Sequence, residues 1–336
     1  MKNLKKLPLI LSILSLASFI TPVNADVKVV ASIKPLHSLA SYLMDGVGKP
    51  DLIVEGYGSP HGFSMKPSHA KILQNADLIF WVGEDLEIFL EKPLSSIAKK
   101  AEKIELMEIK GLNVLKFRER NIFDEHDHDD HDDHGKKEDD HDDHEHDDHD
   151  KKEEHADHDD HDGHEGHAHG EYDPHIWLDP MNAKVILNKM VEHLIENDAK
   201  NASKYKSNLK NAFKDIDKLT ADVKADLSKS TASIVFHDAY QYFEERFDIN
   251  ILGAFTVNTD VMPGAEQLSE IREIIEHDKV SCIFSEPQFN PDIINAVAKD
   301  MDIKTGILDP LGATLNPGKN LYFDLIRNMS DSFKGC

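Results

Sequence analysis

A chain of 336 residues with 63 Asp and Glu against 38 Lys and Arg carries a formal net charge of −25. Residues 124–171 alone hold 17 Asp, 7 Glu and 4 Lys, a balance of −20, which leaves the rest of the chain mildly acidic at −5. Such a chain offers no basic face for nucleic acid. No segment beyond the first 25 residues reaches the 18 or more consecutive apolar residues of a membrane span.

Residues 1–25 read as a cleavable export signal: Lys2, Lys5 and Lys6, an apolar stretch over 7–20, and the small-residue ending Val23-Asn24-Ala25. No cysteine stands at the cleavage point to take a lipid, so the mature chain is expected to be soluble in the bacterial periplasm. From there to residue 123 the pattern alternates, predicting strands over 27–31, 52–54 and 78–82, each followed by an amphipathic stretch (36–44, 70–73, 86–90). Strand-then-helix alternation is the signature of a parallel sheet with helical crossovers.

Residues 124–171 break this pattern. Fourteen of the 21 histidines lie here, at His126, His128, His131, His134, His141, His144, His146, His149, His155, His158, His161, His164, His167 and His169, nearly all among carboxylates. Imidazole is a borderline-soft donor suited to zinc, copper and nickel, so this density predicts many weak, exchangeable metal sites. Its charge predicts disorder in the absence of metal.

Beyond the insertion, Asp179 caps a predicted helix with Pro180 in its first turn and Val185, Leu187, Met190, Val191, Leu194 and Ile195 on its buried face. Residues 199–227 contain no Pro or Gly and read as a long, largely exposed helix joining two lobes. The alternation then resumes, with strands over 233–236, 249–253, 281–284 and 304–308. Predicted helices cover 239–247, 265–277 and 321–333, and another opens at Asn290-Pro291. The expected architecture is α/β: two lobes with parallel-type sheets joined by a long rigid helix. An N-terminal lobe occupies 26–180 and includes the insertion, a helical segment with the linker helix spans 181–231, and a C-terminal lobe spans 232–336. Cys282 and Cys336, the only cysteines of an exported chain, are expected to form a disulfide.

Seven histidines lie outside the insertion. His61 follows a Gly58-Ser59-Pro60 turn, His175 follows Pro174 just before the capped helix, and His237 directly follows the strand over 233–236. All three sit at element ends, where side chains can converge on a cleft between lobes. Asp309, at the end of the strand over 304–308, offers a fourth donor for tetrahedral zinc or, alternatively, a cap for its own turn. His193 and His277 stand among charged residues on predicted helices and read as solvated surface groups. His37 and His69, on early helical turns, read as structural.

These features occur together with Gly58-Ser59-Pro60-His61-Gly62-Phe63, Lys66-Pro67-Ser68, Asn75-Ala76-Asp77-Leu78, residues 173–180, Phe236-His237-Asp238-Ala239-Tyr240, Ser285-Glu286-Pro287-Gln288-Phe289 and residues 308–312. In that order they resemble the periplasmic zinc-binding proteins of bacterial high-affinity zinc ABC importers, within the metal-binding solute-binding proteins. The resemblance covers nearly all of the mature chain. It implies two α/β lobes bridged by a rigid helix, a metal at the lobe interface held by His61, His175 and His237, and a C-terminal disulfide. Histidine at 237, where manganese-binding relatives commonly carry a carboxylate, favours zinc. Some zinc members have a glutamate before the first histidine; here Pro60 stands there, leaving Asp309 or water as fourth ligand.

The expected function is a non-enzymatic, monomeric receptor that captures Zn2+ as cargo and delivers it to the membrane subunits of an ABC permease. Two other functions fit parts of the same sequence: a periplasmic metal store working through the insertion, and a zinc hydrolase, since three histidines and a water are also a catalytic arrangement. The absence of a His-Glu-x-x-His pair weighs against the latter.

Overall fold

The computed structural model describes residues 27–118, 121, 122, 170–227, 231–257, 259 and 262–336. The export signal and the fourteen insertion histidines lie outside the described residues. Two four-stranded parallel sheets organise the fold. The first comprises β1 (Val29–Ala31), β2 (Asp51–Leu52), β3 (Leu78–Trp81) and β4 (Glu102–Glu105) in the order β2-β1-β3-β4. The second comprises β5 (Ser233–His237), β6 (Ile251–Thr256), β7 (Cys282–Ser285) and β8 (Lys304–Ile307) in the order β6-β5-β7-β8. The two orders have the same form, so the loops leaving the strands' carboxyl ends occupy corresponding places in the two lobes.

The helices follow the alternation: α1 (Lys34–Leu43), α2 (Pro67–Asn75), α3 (Glu84–Ser96), α4 (Pro180–Asn197), α5 (Ala202–Asp226), α6 (Gln241–Phe247), α7 (Ala265–His277), α8 (Asp292–Met301) and α9 (Leu321–Gly335). Asp179 caps α4, accepting from the Met181 N–H at 2.8 Å, and Arg246 of the second lobe clamps both of its oxygens at 2.7 Å. On α4 the buried face is shifted from the expected one. Ala183, Ile186, Leu187, Met190, Val191 and Leu194 are buried, whereas Val185 and Ile195 are only half-buried.

The long helix is not merely a tether. Tyr205, Asn208, Ala212, Ile216, Leu219 and Val223, spaced three or four apart, form a buried stripe on α5 that packs against α4, α1 and α9. Truncating Ile216 to Ala in this stripe would cost about 2–5 kcal/mol. Asn208 also donates to the carbonyls of Leu43 and Asp45 (2.7 and 2.9 Å), closing the end of α1. Because α9 belongs to the second lobe in sequence yet packs on α1 and α5, one continuous core runs through both sheets.

Strand periodicity divides the second sheet. Val235 faces the common core, while Ile234 and Phe236 face a separate cluster with Ile271, Ile275, Ile294 and Val297 of α7 and α8. Cys282, the first residue of β7, is bonded to Cys336 just beyond α9, with Cα atoms 5.8 Å apart. Closing that 54-residue separation stabilises the lobe by about 4 kcal/mol in the loop-entropy picture.

The strands flanking the insertion do not stay with the first sheet. Residues 115–117 pair antiparallel with 171–173 through Phe117 N–H to Glu171 O (3.1 Å) and Asp173 N–H to Leu115 O (2.9 Å). Further along the outgoing arm the chain meets β6: the Asn121 side chain donates to the carbonyls of Ala254 and Phe255, and Ile122 bridges Gly253. A Cβ at Gly253 would stand 2.6 Å from the Asn121 carbonyl oxygen, so only glycine admits this approach. The described residues on either side of the insertion form a stem fastened to the second lobe, through Leu115, Arg118 and Asn121 on one arm and Asp173 on the other.

Candidate metal centre

His61, His175 and His237 come from three segments far apart in the chain. His61 lies in the loop after β2, His175 opens the short 3-10 turn Ile176–Leu178 before α4, and His237 ends β5. Each offers a ring nitrogen within 4.8 Å of the other two. The Nε2 atoms of His175 and His237 stand 3.4 Å apart. Zinc–nitrogen bonds of about 2.05 Å at tetrahedral angles would put ligand atoms about 3.3 Å apart, so this pair is already spaced for one ion.

Two of the imidazoles are held from behind. Asp173 Oδ1 lies 2.7 Å from His175 Nδ1 and also accepts the His175 backbone N–H at 2.9 Å. Glu286 Oε1 lies 2.6 Å from His237 Nδ1. A nitrogen against a carboxylate carries the proton, which leaves Nε2 as the bare donor in both rings. His175 and His237 are only 3 and 4 % exposed, whereas His61 is half-buried and forms the accessible side of the group.

Buried charge favours a cation here. Burial pushes Asp173 up to about 7, against the His175 N–H and Arg118, which pull it down. Asp238 is likewise raised to about 7 by burial. His175 is driven well below its ordinary value by burial and by its neighbour His237. His237 is also disfavoured as a cation by burial, but Glu286, Asp238 and Asp173 together raise it. Arg118, on the insertion's stem, donates to Asp238 at 3.1 Å and Glu244 at 2.7 Å. A dication bound on the Nε2 side would offset the desolvation that these carboxylates otherwise suffer.

The cleft beside the triad is walled by Pro60, Trp177, Phe289, Pro310 and Leu311 and encloses no more than about 240 Å³. A second cleft shares the three histidines on the side of Phe117, Tyr172, Pro174 and Val257 and holds about 300 Å³, so both lie at or below the small end of the roughly 300–1,000 Å³ of small-molecule pockets. An ion with one or two waters fits between the imidazoles.

Asp309 is not brought into the group. Its Oδ1 accepts from Ala313 N–H (2.9 Å) and Gln288 Nε2 (3.1 Å), and its Oδ2 accepts from Thr314 N–H (3.1 Å) and Thr314 Oγ1 (3.2 Å). With four donors satisfied it serves its own turn. That turn is fixed in place by Lys34, whose buried ammonium donates to the carbonyls of Gly312, Ala313 and Leu315, and by Trp177 Nε1, which donates to Pro310 O at 2.8 Å.

His69 and His37 are structural: His69 Nδ1 accepts the Lys66 N–H at the start of α2 and its ring stacks on Phe63, while His37 Nε2 meets the Pro50 carbonyl. His277 is on the surface, its side chain 81 % exposed. His193 departs from the expectation of a solvated group. It is packed on the flank of α4 against the start of β4, and its side chain is only 13 % exposed, 2.7 Å from Glu102 Oε1 and 3.5 Å from Glu196 Oε2.

Asp173, Glu286, Gln288 and Arg118 were not assigned roles from sequence. For the first three a signal existed: each stands within a few residues of a strand's carboxyl end or of a candidate ligand.

The family model for the periplasmic zinc-uptake complex component A, ZnuA, matches residues 29–336. The chain belongs to the ZnuA family. The high-affinity zinc uptake system protein ZnuA of Brucella abortus (strain 2308) is 48 % identical over 310 residues, covering 92 % of this chain and 91 % of that one. A crystal structure of ZnuA superposes with a TM-score of 0.68 at 18 % identity, covering 92 % of this chain and 99 % of the other. The zinc-bound "138-173 ZnuA deletion mutant" gives the same TM-score and identity over 92 % of this chain and 97 % of its own. At that identity the two structures speak to the fold, which is the expected pair of parallel-sheet α/β lobes with a long helix.

Proposed function

We propose that this chain is an exported zinc receptor that binds one Zn2+ through His61, His175 and His237 and surrenders it to the membrane subunits of an ABC-type permease. The observation that carries this reading is the convergence of three imidazoles in a small apolar cleft, two of them with Nε2 already bared by buried carboxylates. Three nitrogen donors suit zinc, whereas manganese prefers oxygen. Relatives named as high-affinity zinc uptake proteins support the same cargo. Among the described residues no helix is long and apolar enough to cross a membrane, which accords with a receptor that meets its permease from the periplasmic side.

Capture and release proceed at the His61 side. His175 and His237 are fixed by their carboxylates, while His61 sits in an irregular loop and is the more exposed of the three. The two carboxylates nearest the triad are committed to imidazoles, which favours binding over turnover. The test is a zinc-induced thermal shift: ligand at about 100 times its Kd stabilises by roughly 2.7 kcal/mol. The triad is the site if each single alanine variant loses that shift. It is not the site if His175→Ala keeps it in full.

A further inference from the structure

Three imidazoles leave a tetrahedral zinc with one more position to fill; Pro60 carries no donor side chain, and Asp309 stands outside the histidine group with both oxygens accepting from its own turn and from Gln288. The residue that stands between Asp309 and the cleft is Gln288, two positions beyond Glu286 and part of the same wall as His61, His175 and His237. Its amide nitrogen donates to Asp309 Oδ1 at 3.1 Å. Because the nitrogen must face that carboxylate, the orientation of the amide is settled by chemistry: the carbonyl Oε1 is turned away from Asp309. Oε1 is enclosed by protein and, among the described residues, has no hydrogen-bond donor. A carbonyl oxygen enclosed without a donor is costly and rare, and its presence in the wall of a cation site calls for a donor that arrives with the cation. Glu286 Oε2 and the Tyr240 hydroxyl are enclosed without partners as well, but these two are an acceptor and a donor close enough to act on each other.

We propose that Gln288 is the positioning residue for the fourth zinc ligand: a water on the metal donates to Gln288 Oε1, while Asp309 holds the other end of the amide. The inference rests on the reading of the histidine triad as the zinc site. It assigns Asp309 an indirect role in binding. The carboxylate, kept off the metal by Ala313 and Thr314, polarises the Gln288 amide and so strengthens its carbonyl as an acceptor. A neutral, water-mediated fourth contact also completes the shell without adding charge to a site already backed by several buried carboxylates.

The test compares wild type, Gln288→Leu and Gln288→Asn with zinc, by competition against a chromophoric chelator, and with cobalt(II), whose visible absorption reports the number and arrangement of its donors. Leucine keeps the bulk and removes the acceptor; asparagine keeps the amide one methylene short. Expected are an approximately tenfold weaker zinc affinity and an altered cobalt spectrum for Gln288→Leu, an intermediate result for Gln288→Asn, and unchanged melting of the metal-free proteins. If Gln288→Leu fails to fold, the asparagine variant decides alone by the same two readouts. The proposal is overturned if the variants match wild type in affinity and spectrum, or if affinity falls with an unchanged cobalt spectrum, which would mark a merely structural loss. His175→Ala, run alongside, separates the two claims: if it retains tight zinc the triad reading itself is wrong, whatever Gln288 does.

Discussion

Two groups of imidazole and carboxylate in this molecule share nearly the same contact distance and differ in almost everything else. At the cleft, carboxylate oxygens lie 2.7 and 2.6 Å from His175 and His237; near the start of β4, Glu102 lies 2.7 Å from His193 with Glu196 at 3.5 Å. The Asp173 and Glu286 side chains are 2 and 1 % exposed, against 41 and 66 % for Glu102 and Glu196. At the cleft each carboxylate stands behind its ring, so the opposite nitrogen is presented bare to two further imidazoles. At His193 both carboxylates are partly in solvent, Glu102 being held by Asn197 at 2.9 Å, and among the described residues no second imidazole joins them. Proximity makes an ion pair; burial, a second partner on the far side of the ring and convergence from three segments make a site.

Breaking the triad separates the groups most sharply. His61→Ala, His175→Ala or His237→Ala should each weaken zinc binding by about a thousandfold or more, roughly 4 kcal/mol, with the metal-free fold intact. His193→Ala should leave affinity within error of wild type in the same titration. Equal losses in both sets would erase the distinction.

The supporting carboxylates sharpen it further. Asp173→Asn and Glu286→Gln remove the groups that fix the ring tautomers and should cost about 10- to 100-fold in zinc affinity. Glu102→Gln should cost nothing, and an affinity loss there matching that of Glu286→Gln would show that exposure does not matter.

How much of this could be read from the chain follows the same line. The three candidate histidines were legible because each stands at the end of an element, and a parallel α/β sheet gathers such ends into one place. The strands were legible where they are apolar. β4 was not, because Glu102 and Lys103 face solvent on a sheet edge and only Ile104 is buried. Asp309 met the same positional rule as the histidines, yet its fate was decided by Ala313, Thr314 and Lys34, through contacts that sequence order does not disclose. The stem of the insertion was equally hidden, since its partner, β6, lies more than a hundred residues away. His193 looked solvated because its chain neighbours are polar, but the packing of α4 on the start of β4 encloses it.

A smaller effect contrasts carboxylates that have a cation to face with one that has none among the groups acting on it. Glu87 is fully buried, accepts from Val82 and Gly83 N–H at 2.7 and 3.3 Å, and is raised to about 7 by burial. Its folded-state value lies above the unfolded one, so the folded protein holds the extra proton and stability falls as pH rises from about 4.5 to about 7. Glu87→Gln should remove that slope, making the variant more stable than wild type above pH 7 by on the order of 2 kcal/mol. Urea denaturation of the metal-free protein at pH 5 and pH 8 checks this; an unchanged pH dependence would refute it.

The central claim is that the tight zinc site belongs to the folded lobes and not to the histidine-rich insertion. Calorimetric zinc titration of a protein lacking residues 124–170, with and without His175→Ala, tests it most directly. The deletion removes fourteen histidines and spares the stem, the triad and both lobes. The account predicts one tight zinc per chain in the deleted protein, its loss on adding His175→Ala, and extra weaker uptake only when the insertion is present. Disappearance of the tight phase with the insertion, or its survival after His175→Ala, would contradict it.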